Sequence, residues 1–250
     1  MLVVTAALPR EADGVLRAMT VERREDAGTC HLSVGALGGR PLALARTGVG
    51  AERARHAAGV LLERLPVSAV LSLGFAGALV DGLAVGDLMV SIRLHVDSAM
   101  PEDALYPDLA WLARLSASAE EGGVRARRGE SVTVTRMVTE PAQRRRLARR
   151  YGADVVDMEG YWLARACAAK GLPFVSVRAV SDTVEEHHPV LEQALDDGRL
   201  RIGRAVRGFA ARPREMAKLP RLAANARRAS AALERYALLA SATPAEGVGA

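Results

Sequence analysis

The sequence predicts an α/β fold: a single three-layer domain with a mixed, mostly parallel central sheet flanked by helices, plus a C-terminal helical extension. Three observations predict it. Short apolar runs of strand character alternate with helix-length segments over residues 1–211. Half of the 250 residues are hydrophobic while only 4% are aromatic, so Ala, Val and Leu must fill the interior, which suits close packing of helices on a sheet. Gly and Pro punctuate almost every junction, and no internal repeat is present.

Leu2 to Leu8 reads as a buried strand, and Arg10 to Met19 as the helix that follows it. Cys30 to Leu37 and Pro41 to Arg46 form a strand pair joined at Gly38-Gly39, a hairpin signal. Thr47-Gly-Val-Gly50 turns into an Ala-rich helix ending near Leu65, before Pro66. Val67 to Leu73 is the next buried strand, closing on a turn at Gly74-Phe-Ala-Gly77, and Asp87 to Ile92 is another. Leu94 to Pro107 is loop-like, and Asp108 to Glu121 is a helix. Ser131 to Val138 alternates Val and Thr as a strand does, and Pro141 to Arg150 is a basic helix with Pro in its first turn. Two strand–helix units close the domain: Asp154 to Met158 into Glu159–Lys170, and Pro173 to Val180 into a long helix after Pro189.

Several function classes drop out. No apolar run reaches the roughly 20 residues of a membrane span, and the short apolar start meets Pro9-Arg10-Glu11 without a basic lead, unlike a signal peptide. Cys30 and Cys167 match no metal or redox spacing and read as buried thiols of a cytoplasmic protein. The net charge of +5 is concentrated: residues 212–240 carry +5, leaving residues 1–211 near +1. A near-neutral domain without interleaved aromatics argues against nucleic-acid binding. His187-His188 after Glu185-Glu186 raises a metal site, but adjacent histidines seldom face one ion and no further ligand cluster is evident. No metal and no cofactor is expected.

In sheets of this kind ligands bind at the carboxyl ends of the strands. Four segments fall there: Pro9-Arg10-Glu11, Gly74–Gly77, Asp157-Met158-Glu159 and Arg178–Asp182. Three carboxyl groups converging on one crevice suit cleavage of an N-glycosidic bond. The leaving base needs a proton, the sugar must be held while positive charge develops on it, and a nucleophile must be placed on its opposite face. Each residue also has a plain alternative. Glu11 and Glu159 begin helices, where the dipole alone favours a carboxylate, and Asp182 can cap the turn after its strand.

The ordered set of Gly48-Val-Gly50, Leu73-Gly-Phe-Ala-Gly-Ala-Leu79, Val85-Gly-Asp87, Val156-Asp-Met-Glu-Gly160 and Gly171-Leu-Pro-Phe-Val-Ser-Val-Arg-Ala-Val-Ser-Asp182 resembles the purine nucleoside and uridine phosphorylase superfamily. It is most similar to the branch of methylthioadenosine/S-adenosylhomocysteine nucleosidases. The resemblance implies roles. Asp182 protonates purine N7 with support from Ser181. Glu159 holds the ribose hydroxyls, with Met158 packed on the sugar. Glu11 positions and deprotonates water, and Arg178 orients the carboxylates. Met137 and Val138 line the base pocket, and the segment containing Phe75 and Gly77 approaches the sugar. It also implies a homodimer or higher oligomer. Phosphorolytic members carry a serine where this chain has Phe75 and an arginine where it has Ser72, which favours water over phosphate unless Arg10 or Arg46 binds the anion.

Beyond Pro213 the chain resembles the hopanoid-associated phosphorylases, which act on adenosylhopane. Leu219, Leu222, Ala223, Ala226, Leu233, Tyr236 and Ala237 fall on one helical face, and Arg214, Arg221, Arg228 and Arg235 on the opposite one. The domain reading is therefore a catalytic domain over 1–211, a basic amphipathic helix over 212–240 and a disordered tail over 241–250. The substrate implied is a lipid-linked adenine nucleoside, met at the inner face of a membrane through the basic helix. The alternatives are a soluble nucleosidase for methylthioadenosine or S-adenosylhomocysteine, or another purine nucleoside phosphorylase. The terminal helix could equally pack on its own domain or on a subunit.

Overall fold

The computed structural model describes residues 1–196 and 199–243. In chain order the elements are β1 (Leu2–Ala6), α1 (Pro9–Ala18), β2 (Thr20–Ala27), β3 (Cys30–Leu37), β4 (Arg40–Arg46), α2 (Ala51–Arg64), β5 (Ala69–Ala78) and β6 (Leu88–Val96). After a 3₁₀ turn at Pro101–Asp103 come α3 (Leu109–Glu121), β7 (Ala126–Thr133), α4 (Pro141–Tyr151), β8 (Val155–Asp157), α5 (Gly160–Ala168) and β9 (Phe174–Asp182). The last part holds α6 (Pro189–Ala194), the short pair β10 (Leu195–Asp196) and β11 (Arg199–Leu200), α7 (Ile202–Ala210), α8 (Pro213–Met216) and α9 (Leu219–Ala242).

The main sheet runs β2-β3-β4-β1-β5-β8-β7-β6-β9, and β9 also pairs with β5. The strands β5, β8, β7, β6 and β9 therefore close a ring, and the rest of the sheet extends from β5 as an open wing. β1 lies between parallel neighbours β4 and β5, and β5 runs parallel to β9. β2–β3, β3–β4, β5–β8 and β6–β9 are antiparallel, so the sheet is mixed.

Alternation along the strands explains the layers. Val4 and Leu44 face the core under α1, α3 and α9, whereas their neighbours Val3 and Ala43 face the core under α2 and α5. Small residues allow close approach: Gly14 of α1 lies so near Glu234 of α9 that an added Cβ would sit 2.5 Å from the glutamate Cβ. Gly38 and Gly39, both at positive φ, form the hairpin turn between β3 and β4.

Several expectations change. β5 does not turn at Gly74–Gly77 but continues as strand through Ala78. β7 lies earlier, at 126–133, because pairing with β6 over Leu88–Val96 sets its register. The long helix expected after Pro189 is two short helices separated by the β10–β11 pair, with residues 197–198 outside the described residues. β2 carries no apolar alternation, and its mostly exposed edge position explains why.

The C-terminal segment departs most from the appended helix anticipated for it. α9 packs on its own domain: Ala229, Ala232, Leu233, Tyr236, Ala237 and Ala240 belong to the core beneath α1 and α3. Its buried face over the first two turns is centred on Asn225, with Leu222, Ala223 and Ala226 only half-buried and Leu219 exposed. Arg214, Arg221, Arg228 and Arg235 do face solvent. The helix runs to Ala242 where a disordered tail was expected, and residues 244–250 lie outside the described residues. Among the described residues no helix is long and apolar enough to cross a membrane.

Candidate active site

Glu11 is the third residue of α1, whose first is Pro9, and it is 6% exposed. Its side chain folds back so that Oε2 accepts hydrogen bonds from the backbone N–H of Ala7 at 2.8 Å and of Leu8 at 2.7 Å. This is the reciprocal half of a capping box, so the plain helix-start reading is physically true of one oxygen. The other oxygen crosses to β5 and accepts from the Phe75 N–H at 2.7 Å. Burial pushes the Glu11 carboxyl up, opposed by the Phe75, Leu8 and Ala7 N–H groups and by the charge of Arg178.

Glu159 sits at the N-cap of α5, and its Oε1 accepts from Gly50 N–H at 2.6 Å, at the start of α2. Gly50 has φ 98°, a conformation that favours glycine. Burial, then the charges of Asp157 and Glu11, push the Glu159 carboxyl up to about 8, against the Gly50 hydrogen bond and Arg178. A carboxyl raised by two neighbouring carboxylates shares a site with them.

Arg178, 2% exposed on β9, lies among them. Its Nε and Nη2 both reach Asp157 Oδ2 at 2.7 Å, Nη2 also donates to Ser72 Oγ at 3.1 Å, and Nη1 donates to the Ser72 and Val177 carbonyls at 3.1 Å. Four guanidinium donors are therefore hydrogen-bonded, and Nη2 adds an ion pair with Asp157. Asp157 is completed by Thr133 Oγ1 at 2.5 Å and Gly160 N–H at 3.0 Å. A cavity of about 10 Å³, room for one water, is enclosed by residues including Thr5, Ser72, Gly74, Glu159 and Arg178.

The third carboxylate stands at the end of β9. Asp182 Oδ1 accepts from Ser181 Oγ at 2.5 Å, and Oδ2 is ion-paired with Arg144 of α4. The β5–β9 ladder has a register shift here: Ala76 faces Val180 and Gly77 faces Asp182, so Ser181 is skipped. Such a bulge re-aims the side chain at a strand end. His188, 8% exposed, lies within the fields of Asp182, Glu186, Arg144 and Lys218, and burial lowers its pKa below the ordinary histidine value.

Met137 and Met158 line a cavity of about 890 Å³ with Thr135, Arg136, Glu140, His187 and Glu192. Val138 instead lines a neighbouring depression rimmed by Arg146, Arg149 and Arg150. Phe75 enters the carboxylate cluster through its N–H, and its ring packs on the α1–α3–α9 core. Gly77 lies beside Asp182, while Arg10 is exposed and Arg46 half-buried. Residues 11, 75, 159 and 178 thus form one cluster and 77, 181 and 182 another, joined along β5.

Sequence reasoning missed Asp157, Thr133 and Arg144 as members of this network. Arg144 carried a readable signal: with Leu147, Ala148 and Tyr151 it lies on the inward stripe of α4, where an arginine is out of place. Among the described residues no cluster of His, Cys, Asp or Glu is placed to hold a metal ion.

Comparison with known proteins places these features in context. Residues 1–210 match the family described as the phosphorylase superfamily. A relative from Shewanella oneidensis, named a 5′-methylthioadenosine/S-adenosylhomocysteine nucleosidase, is 26% identical over 202 residues, covering 75% of this chain and 86% of its own. The Neisseria meningitidis nucleosidase of the same name, solved with methylthio-immucillin-A, superposes with TM-score 0.74 at 20% identity over 96% of this chain and 97% of its own. Futalosine hydrolase of Helicobacter pylori gives TM-score 0.71 at 19% identity over 94% and 96% of the two chains. The two structural superpositions extend over nearly the whole of both chains, so the folds share their overall extent.

Proposed function

The chain belongs to the phosphorylase superfamily, and from that membership we propose that it hydrolyses the N-glycosidic bond of an adenine nucleoside, with 5′-methylthioadenosine or S-adenosylhomocysteine as the substrate class. One observation carries the reading: Glu11 and Glu159 meet around Arg178 of β9, Glu11 is bound to β5 through the Phe75 N–H, and Asp182 ends β9 beside Gly77 of the same β5. The names of the curated relatives support the substrate class.

In this reading Asp182 delivers a proton to purine N7 as the bond between C1′ and N9 breaks, and the bonding pair passes into the leaving base. Glu159, whose Oε1 is tied to Gly50, uses its other oxygen to hold the ribose hydroxyls while the sugar becomes oxocarbenium-like. Glu11 takes the proton of the attacking water. Met158 and Met137 pack against sugar and base, and Val138 borders the base through its backbone.

Water is the favoured nucleophile. The guanidinium nitrogens of Arg178 are all engaged within the protein, and the Phe75 N–H that could bind an anion already holds Glu11. A lipid-linked adenosyl substrate needs a surface that meets a bilayer. The helix that suggested one has most of its apolar face in the core, with its arginines outward and only Leu219 and Leu238 among its large apolar side chains exposed.

Adenine release from methylthioadenosine and S-adenosylhomocysteine, with and without phosphate, tests the proposal. Both are expected to be cleaved without phosphate, giving the free sugar. Strict phosphate dependence would overturn the hydrolytic reading, and cleavage of adenosylhopane alone would restore the lipid-linked one.

A further inference from the structure

We propose that Arg144 is a positioning residue for the Asp182 carboxylate, one that also couples this group to the wall of the base pocket. The proposal rests on the reading of Asp182 as the proton donor. Arg144 is 2% exposed in a helix whose other arginines are at least partly exposed. A buried guanidinium left unpaired costs several kcal/mol, so its partners are a structural commitment. Nη2 pairs with Asp182 Oδ2, Nη1 donates to the Thr183 carbonyl at 2.7 Å, and Nε donates to the Val138 carbonyl at 3.0 Å. One side chain thus ties the end of β9 to the segment entering α4.

β5 is shaped to let the pair pass. A Cβ added at Gly77 would lie 2.9 Å from Arg144 Nη2 and 3.1 Å from Asp182 Oδ2. Gly77 is also the residue the strand bulge sets opposite Asp182. The lack of a side chain at 77, the bulge and the buried arginine are three features on three elements, and all serve the orientation of one carboxyl group. Ser181 Oγ holds the other oxygen at 2.5 Å, so neither oxygen is free to rotate away.

The chemistry gives this clamp a purpose. When Asp182 passes its proton to N7, the C1′–N9 pair moves into the purine and a carboxylate is left behind. That new charge faces Arg144, whose position is already fixed, so no reorganisation accompanies the transfer. The same fork holds the Val138 carbonyl, one residue from Met137 of the larger cavity, so that wall and the donor keep one spacing.

The test compares Arg144→Met and Arg144→Lys in the full-length protein, alone and with Asp182→Asn. Arg144→Met is expected to lower kcat by about tenfold or more, with KM changing much less. In the Asp182→Asn background the same substitution should cost less than about twofold, because the group it acts through is gone. Guanidinium added to Arg144→Ala should restore part of kcat. Equal losses in both backgrounds, or full activity in a normally folded Arg144→Met, would overturn the proposal. If the methionine variant does not fold, Arg144→Lys keeps the charge, loses the fork and carries the same comparison. Full activity of Asp182→Asn alone would instead defeat the donor reading, a result distinct from either.

Discussion

Glu159 shows how a single residue can set a property of the folded state that is independent of turnover. Its carboxyl is pushed from an ordinary 4.5 up to about 8. Between those values the folded protein keeps a proton that the unfolded chain has lost. The stabilising contribution is full below about 4.5 and is lost as pH rises towards about 8. Glu11, also raised by burial, adds in the same direction. Melting temperature is therefore expected to fall across this window, and Glu159→Gln to flatten the fall while removing most of the activity. Differential scanning calorimetry from pH 5 to 9 checks it; an identical slope in the variant would mean that the carboxyl ionises freely. Asp182→Asn belongs to the same scale, with a loss of about a hundredfold in turnover expected, since an amide donates no acidic proton to N7, and with a lowered melting temperature, since Arg144 loses its charged partner.

At the scale of elements, legibility followed periodicity. β1, α1, the β3–β4 hairpin, α2 and α3 were readable because each buries one periodic face and ends on Gly, Pro or a capping residue. β2 was not, since an edge strand of sequence TVERREDA has little to bury. The site was legible where a carboxylate stands at a strand end and illegible where a partner comes from another element, as with Arg144 and Thr133. α9 was readable as an amphipathic helix, but what its apolar face meets is a tertiary fact. Leu233, with no exposed surface, gives the test. Leu233→Ala is expected to cost about 2–5 kcal/mol in urea unfolding, and a loss below about 0.5 kcal/mol would mean that the helix packs loosely.

At the scale of the whole molecule, the exposed surface bears on association. The outward arginines of α4 and α9 keep much of the positive surface on helices. Three large apolar side chains, Met100, Tyr106 and Leu109, are 55%, 62% and 63% exposed in the segment that leads from β6 into the first residue of α3. Exposed large apolar groups are candidates for association, and we propose that the expected homodimer forms through them. Light scattering is expected to find a dimer that Leu109→Glu weakens; a monomer at all concentrations would remove the expectation.

The contact between α1 and α9 also bears on how the protein comes into being. Arg17 pairs with Glu234 at 2.7 Å, Ser230 Oγ donates to the Arg10 carbonyl at 2.6 Å, and Gly14 lies against Glu234. The helix that carries Glu11 leaves the ribosome well before the helix that packs on it. Until α9 arrives, a large apolar face of the sheet stays open to water and to other nascent chains. A chain stalled before residue 219 would hold all three carboxylates and still lack the helix packed against α1, the element that carries the first of them.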